Sequence, residues 1–518
     1  MSTLFAGLDV STQGCKLLII DHTNEEVVYT TSVNYDNDLS NYDTINGVIK
    51  DAPEGVSESE PQMWLDAVDM VFSQAKDDNV TLSNIKCIAV SGQQHGLVSL
   101  DENDNLTRNR SKLWNDFSTA EECQILTNKI GGKDSMIEEI GNTQRTGYTA
   151  SKIFHMQRNE PNKYDKTRTF FLVHNYINWY LTGGVKVMEP GDTSGMALWN
   201  PKNGQWSQKV INIIDPGLKD KLPPVKPAYE TIGTISKNLA NKFGFSPECK
   251  IDAGSGDNMY GAIGTGNVES GIVTISLGTS GTAYTFMEKP YIDPDGEIAA
   301  FCDSTGHYLP LVCVSNMANG YNQVLDNYNI DHQEFVNIIG EVKPGNGGRI
   351  LLPWYEGERT PDLPNAAPIY FGFDLGDFTK ENLCRAVIEG HVLNIYAGFE
   401  RMPIDFREIR LTGGLSKSPA WRQMIADVFE AEAVPVEGEG AALGAAIHAG
   451  WVWLNESDQE ISISEIVKSY VKLKEKERCK PNKNNRKIYD NMKRLFKSLS
   501  QRIRGLAAED PFIIKNNI

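Results

Sequence analysis

The chain has 518 residues, of which 40% are hydrophobic and 23% charged; this usage excludes a largely disordered, collagen-like or membrane-spanning polypeptide. Average domains run to roughly 100 to 200 residues, so two or more large domains are expected. The formal net charge of −18 repels phosphate backbones and anionic lipid, which argues against nucleic acid and membrane as partners.

No uninterrupted apolar run approaches the ~18 residues of a membrane helix, and the opening MSTLFAGLDV lacks the basic patch of a secretory signal. The expected location is the cytoplasm. Eight cysteines are scattered without a CxxC pair or a zinc-like Cys/His spacing. They read as unpaired thiols of a reducing compartment, and no structural metal is expected.

The first element is a β-hairpin from Leu4 to Asp21, where the apolar stretches LFAGL and KLLIID flank Asp9-Val10-Ser11-Thr12-Gln13-Gly14. Pro61 to Lys76 carries Trp64, Leu65, Val68, Val71, Phe72 and Ala75 at helical spacing, with Pro61 tolerated in the first turn. Ile85 to Val90 reads as a buried strand whose carboxyl end delivers Ser91-Gly92-Gln93-Gln94-His95-Gly96, the place where α/β proteins put ligands. From Gly271 a second hairpin repeats the grammar of the first, GIVTIS and TAYTF flanking Leu277-Gly278-Thr279-Ser280-Gly281. This duplication predicts two related α/β domains, each presenting a polar hairpin to a shared cleft, with a boundary near Gly261 to Gly271.

Further on, Ile409 to Thr412 is a short strand, Gly413-Gly414 a turn, and Pro419 opens a helix. Gly440 to Gly450 is rich in small residues that allow a helix to pack closely. The last long segment, Ile488 to Ile503, repeats apolar residues at 488, 492, 495, 496, 499 and 503, which predicts a surface helix with a solvated basic face.

Ser11, Thr12, Thr279 and Ser280 stand beside glycines, so hydroxyls and bare N–H groups could surround phosphate oxygens, and a nucleoside triphosphate is the natural ligand. Either tip alone reads as an ordinary turn; the two together, correctly spaced, favour the phosphate site. No GxxxxGK[ST] occurs and Gly131-Gly132-Lys133 is followed by Asp134, so a P-loop is not supported. Asp9 is placed to hold Mg²⁺ directly or through water, or simply to cap its turn. Asp257, in Gly254-Ser255-Gly256-Asp257-Asn258, is either a helix N-cap or a base that takes a proton from an attacking hydroxyl. Gln94 and His95 suit a polyhydroxylated ligand.

These segments together resemble the FGGY family of carbohydrate kinases, from Leu4 to about Trp451. The matching motifs are GLDVSTQGCK (7–16), SGQQHG (91–96), LWND (113–116), GSGDN (254–258), SLGTSGT (276–282), GERTP (357–361) and LTGGLSKSPAWRQMIADVF (411–429). The resemblance implies two actin-like, ribonuclease H-like α/β domains around a central cleft: a sugar-binding half over 1–262 and an ATP-binding half over 263–518. It further implies Asp257 as general base with Asn258 beside it, Asp9 as the acid associated with Mg²⁺, and Gln94 and His95 against the sugar. Ser11, Thr12, Thr279 and Ser280 fall on phosphate loops, and Gly413, Gly414 and Ser418 on the turn next to the adenosine. D-xylulose is the expected acceptor, chiefly through Gln93 to Gly96 and Gly191 to Met196, giving D-xylulose 5-phosphate. Ribulose, gluconate and glycerol are the alternative acceptors, a non-catalytic actin-like nucleotide-binding module is the alternative class, and a homodimer is one admissible assembly. Three departures bear on the sugar rather than on phosphoryl transfer: Gln94 replaces a frequent methionine, Phe117-Ser118-Thr119 follows LWND where Gly-Arg is common, and Ser151 stands where a proline often precedes Lys152.

Overall fold

The computed structural model describes residues 2–438 and 440–518. The strands that organise it are β1 (Leu4–Val10), β2 (Gly14–Asp21), β3 (Glu26–Asn34), β4 (Ile85–Gly92), β5 (Lys250–Asp252), β6 (Ile272–Leu277), β7 (Gly281–Thr285), β8 (Tyr308–Val314), β9 (Glu408–Thr412) and β10 (Glu432–Pro435). The helices used below are α1 (Pro61–Asp77), α2 (Thr149–Asn159), α3 (Val173–Thr182), α4 (Asp257–Gly264), α5 (Lys380–Phe399), α6 (Pro419–Phe429), α7 (Gly440–Glu456) and α8 (Arg486–Ile503). They form two compact units. The first comprises Met1–Glu269, Met287–Pro310 and Gly438–Val471, the second Ser270–Phe286, Leu311–Glu437 and Lys472–Ile518.

In the first unit the main sheet contains the order β5-β4-β1-β2-β3. Strand alternation sends successive side chains to opposite faces. Leu8, Leu17, Ile19 and Val90 therefore join Trp64, Val68, Val71 and Phe72 of α1 in one core. Phe5, Leu18, Ile20, Cys87 and Ala89 point the other way and pack on Ala442, Leu443, Ala445 and Ala446 of α7. The small residues of α7 are needed for contact at backbone range, because a Cβ added at Gly444 would lie 1.8 Å from the Tyr260 carbonyl oxygen of α4. Pro61 occupies the first turn of α1, where its missing N–H costs nothing.

The second unit's sheet contains the order β8-β7-β6-β9-β10. Both sheets follow one plan. The leading strand pairs antiparallel with its hairpin partner (β1 with β2, β6 with β7) and parallel with a later strand (β1 with β4, β6 with β9). Three residues separate the paired strands in each hairpin, Ser11 to Gln13 in one and Gly278 to Ser280 in the other. The duplication read in the sequence is thus a repeat of topology as well as of composition.

One expectation needs correction. The stripe of α8 that is buried consists of Tyr489, Met492, Leu495, Phe496 and Leu499, while Ile503 is 44% exposed. Its basic residues are not merely solvated: Lys493 pairs with Glu430, Lys497 with Glu400 and Arg494 with Glu509. The segment Asn258 to Gly271 is helical as far as Gly264 and packed against α7.

Candidate active site

Parallel pairing of β1 with β4 sets Asp9 opposite Ser91 at the carboxyl ends of both strands. Ser91 Oγ donates to Asp9 Oδ1 at 2.8 Å. Asp9 lies inside β1 and does not cap the turn; Ser11 closes it, its N–H and its hydroxyl both donating to the Gly14 carbonyl at 2.9 and 3.0 Å. Burial raises the Asp9 carboxyl above its ordinary range, against the opposing pull of the Ser91 hydroxyl and Lys16.

Beyond Asp252, the segment Ser255-Gly256 pairs with Ser91 and Gly92 at the end of β4, and α4 begins at Asp257. The N-cap is Gly256 rather than Asp257. Burial, with the charges of Asp9 and Asp192 pushing the same way, raises Asp257 to about 8. A carboxylate held there is a stronger proton acceptor than an ordinary one.

A chain of amides leads away from this carboxylate. Asn258 Nδ2 donates to Asp257 Oδ1 at 3.1 Å and to Gln94 Oε1 at 2.8 Å, and Gln94 Nε2 donates to Asp192 Oδ1 at 3.4 Å. The other Asp192 oxygen accepts from His174 Nδ1 at 3.2 Å. Because Asn175 Nδ2 meets His174 Nε2 at 2.7 Å while Asn175 Oδ1 accepts from the Leu172 N–H, His174 takes the Nδ1–H form. Asp192 thereby fixes which end of the Gln94 amide faces Asn258. His95 is buried, with its ring 4.8 Å from that of Tyr148 and 5.9 Å from that of Phe301. A Cβ at Gly195 would come within 2.4 Å of its Cε1, so only glycine admits the imidazole here.

Two buried ionisable groups hold the loop before Asp257. Glu189 accepts from the N–H groups of Gly191 and Asp192 and from Ser255 Oγ, and burial raises its carboxyl to about 7. Asp252 Oδ1 accepts from the Gly254 N–H and its Oδ2 faces His448 Nδ1 at 2.8 Å. The opposite nitrogen of His448 faces the Ser304 carbonyl, also at 2.8 Å. Burial opposes a charge on His448, but the Asp252 carboxyl beside it, with the Ser304 carbonyl, outweighs that and holds its pKa above the ordinary range.

In the second unit Thr279 is exposed and Ser280 half-buried, and neither hydroxyl has a hydrogen-bond partner among the described residues. The backbone supports the tip instead: the Met317 N–H donates to the Thr279 carbonyl at 3.0 Å. After β9, Gly413 adopts φ +85° and approaches Leu277 too closely for any Cβ. Gly413 and Gly414 are exposed. Ser418 holds the N-cap position of α6, yet its buried Oγ bonds to nothing among the described residues.

The first unit thus gathers Asp9, Gln94, His95, Asp257 and Asn258 near the carboxyl ends of β1 and β4, and the second carries Thr279, Ser280, Gly413, Gly414 and Ser418 on the tips after β6 and β9. Sequence reasoning missed Asp192, His174, Glu189, Ser91 and Lys152. Ser91 and Asp192 lay inside segments already singled out, whereas His174 and Glu189 carried no local signal.

Among the described residues no group of three or more His, Cys, Asp or Glu side chains could hold a metal ion. A lone half-buried carboxylate such as Asp9 fits Mg²⁺, which retains waters and takes one or two carboxylates together with substrate phosphates.

Models of the FGGY family of carbohydrate kinases match the chain twice, the N-terminal domain over residues 4–264 and the C-terminal domain over 273–453. A xylulose kinase of Haemophilus influenzae is 37% identical over 510 residues, covering 96% of this chain and 100% of its own length. A ligand-bound xylulose kinase from Lactobacillus acidophilus has a TM-score of 0.86 at 23% identity, over 97% of this chain and 98% of that one. A gluconate kinase from the same organism gives the same TM-score, identity and coverage, so the fold alone does not choose the sugar. No helix among the described residues is long and apolar enough to cross a membrane. With both family domains matched in order along two α/β units of one repeated topology, the chain belongs to the FGGY family of carbohydrate kinases.

Proposed function

We propose that this chain transfers the γ-phosphate of ATP to D-xylulose and releases D-xylulose 5-phosphate. The observation that carries the chemistry is the Asp257 carboxylate, raised to about 8 at the start of α4 and joined through Asn258 to Gln94. The choice of sugar is supported by the full-length likeness to the Haemophilus influenzae xylulose kinase.

In this reading Gln94, His95 and Asn258 hold the sugar, and the acceptor hydroxyl gives its proton to Asp257 as its oxygen attacks the γ-phosphorus. Proton removal of this kind contributes about 10² to 10⁴ in rate; the remainder comes from positioning and charge neutralisation, since the phosphoryl transition state is loose. Ser11 and Thr12 on the first hairpin and Thr279 and Ser280 on the second contact phosphate, while Gly413, Gly414 and Ser418 lie beside the adenosine. Asp9 would hold Mg²⁺, directly or through water, which when bound offsets the phosphate charge. Sugar binding belongs to residues 1–262 and nucleotide binding to 263–518. A cytoplasmic location accords with eight free thiols.

The test is coupled ADP detection with a panel of purified sugars. D-xylulose should dominate the turnover. Strong turnover of ribulose, gluconate or glycerol with none of D-xylulose would overturn the sugar assignment. ATP binding without ADP release on any sugar would favour the non-catalytic module.

A further inference from the structure

Lys152 is 1% exposed. It forms no ion pair among the described residues, and its ammonium donates to a backbone carbonyl, that of His95, at 2.7 Å. Thr149 Oγ1 donates to the same oxygen at 3.2 Å. Thr149 opens α2 and Lys152 lies three residues on, so one face of the first turn of α2 delivers both donors to a single carbonyl. The neighbouring cations are engaged elsewhere: Arg108 pairs with Glu58 and Glu160, and Lys112 with Asp116.

A buried ammonium without a carboxylate is expensive, and burial pushes Lys152 down to about 7. Its one carbonyl partner is also unusual. His95 has φ +67°, in the left-handed region that a side chain with a Cβ rarely adopts. That conformation turns the His95 carbonyl inward to Lys152 and Thr149, while the imidazole is seated between Tyr148, Phe301 and Gly195. Backbone strain of this kind persists where the surroundings over-determine it, characteristically at ligand sites.

We propose that Lys152 is a positioning residue for the acceptor sugar: its ammonium anchors the His95 carbonyl and so fixes the strained backbone that aims the imidazole. Thr149 is the auxiliary anchor. The inference rests on the sugar-kinase reading, in which His95 lies against the acceptor.

The test uses the full chain with the wild type, Lys152→Met, which keeps most of the volume, and Thr149→Val, which removes only the second donor. With D-xylulose and ATP varied in turn, Lys152→Met should raise the sugar KM about tenfold or more, with the ATP KM within about twofold and kcat little changed. Thr149→Val should shift the sugar KM the same way by a smaller factor, with the thermal midpoint recorded for both variants. A purely structural role would lower the midpoint and move both KM values together, which would overturn the proposal, as would an unchanged sugar KM. If Lys152→Met does not fold, Thr149→Val decides alone: a sugar-selective rise supports the anchor and none overturns it. A wild type without sugar-dependent ADP release would overturn the sugar-kinase reading and this inference with it, whereas wild-type turnover with unaltered variants overturns the inference alone.

Discussion

The two hairpins share strand order and a three-residue gap between their strands, yet their polar groups are in opposite states. At the first tip the side chains are already spoken for: Ser11 bonds to Gly14, and Thr12 Oγ1 donates to Gln93 Oε1 at 3.2 Å and accepts from Trp114 Nε1 at 3.0 Å. At the second tip Thr279 and Ser280 have hydroxyls with no partner among the described residues. The carboxylate differs as well. Asp9, second from the end of β1, corresponds to Ser276 in β6, and its neighbour Ser91 corresponds to Thr412. Repeated topology therefore supplies two equivalent frames, and the choice of polar residue makes one a preorganised site and the other an open cradle. Preorganisation suits the reacting centre, where donors and acceptors must not reorient during the step, while unpartnered hydroxyls suit a ligand that arrives and leaves.

Several substitutions break or sharpen this contrast. Asp9→Asn should lower kcat by about 10² and raise the Mg²⁺ concentration needed for half-maximal rate, whereas Ser276→Ala at the equivalent position should do neither; equal effects at both would erase the distinction. The double variant Thr279→Ala, Ser280→Ala should raise the ATP KM about tenfold with the sugar KM unchanged, measured by coupled ADP release. Thr12→Val should cost about 1 kcal/mol in a denaturant titration because two neighbours lose a partner, while Thr279→Val should leave stability where it was.

Asp257 links site chemistry to stability with a definite sign. Its folded pKa of about 8 stands above the ordinary 3.8, so between those values the folded state binds more protons than the unfolded one, and stability falls as pH rises through that window. Asp257→Asn removes the penalty. Its thermal midpoint should match that of the wild type at pH 4 and exceed it by a few degrees above pH 8; a lower midpoint at high pH would show that the carboxylate is a structural partner.

The sequence made the hairpins legible because continuous apolar stretches and Gly/Ser/Thr turns are local signals. Asp257 was legible through its glycine-flanked motif, although the helix start fell one residue from where an N-cap was expected. The close packing of α7 could be read from its small residues, but its place on the first sheet could not, since that depends on segments more than four hundred residues apart meeting in one core. The supports behind the site escaped for the same reason. Gln94 and Asp192 are 98 residues apart and Lys152 and His95 are 57 apart, and nothing local in either member announces the other.

The most direct measurement compares wild type and Asp257→Ala on D-xylulose, with ADP release and ATP binding followed on the same preparation. Sugar-dependent release should fall by about 10² to 10⁴ while ATP binding persists. Undiminished turnover by Asp257→Ala would contradict the assignment of this carboxylate as the group that takes the sugar's proton.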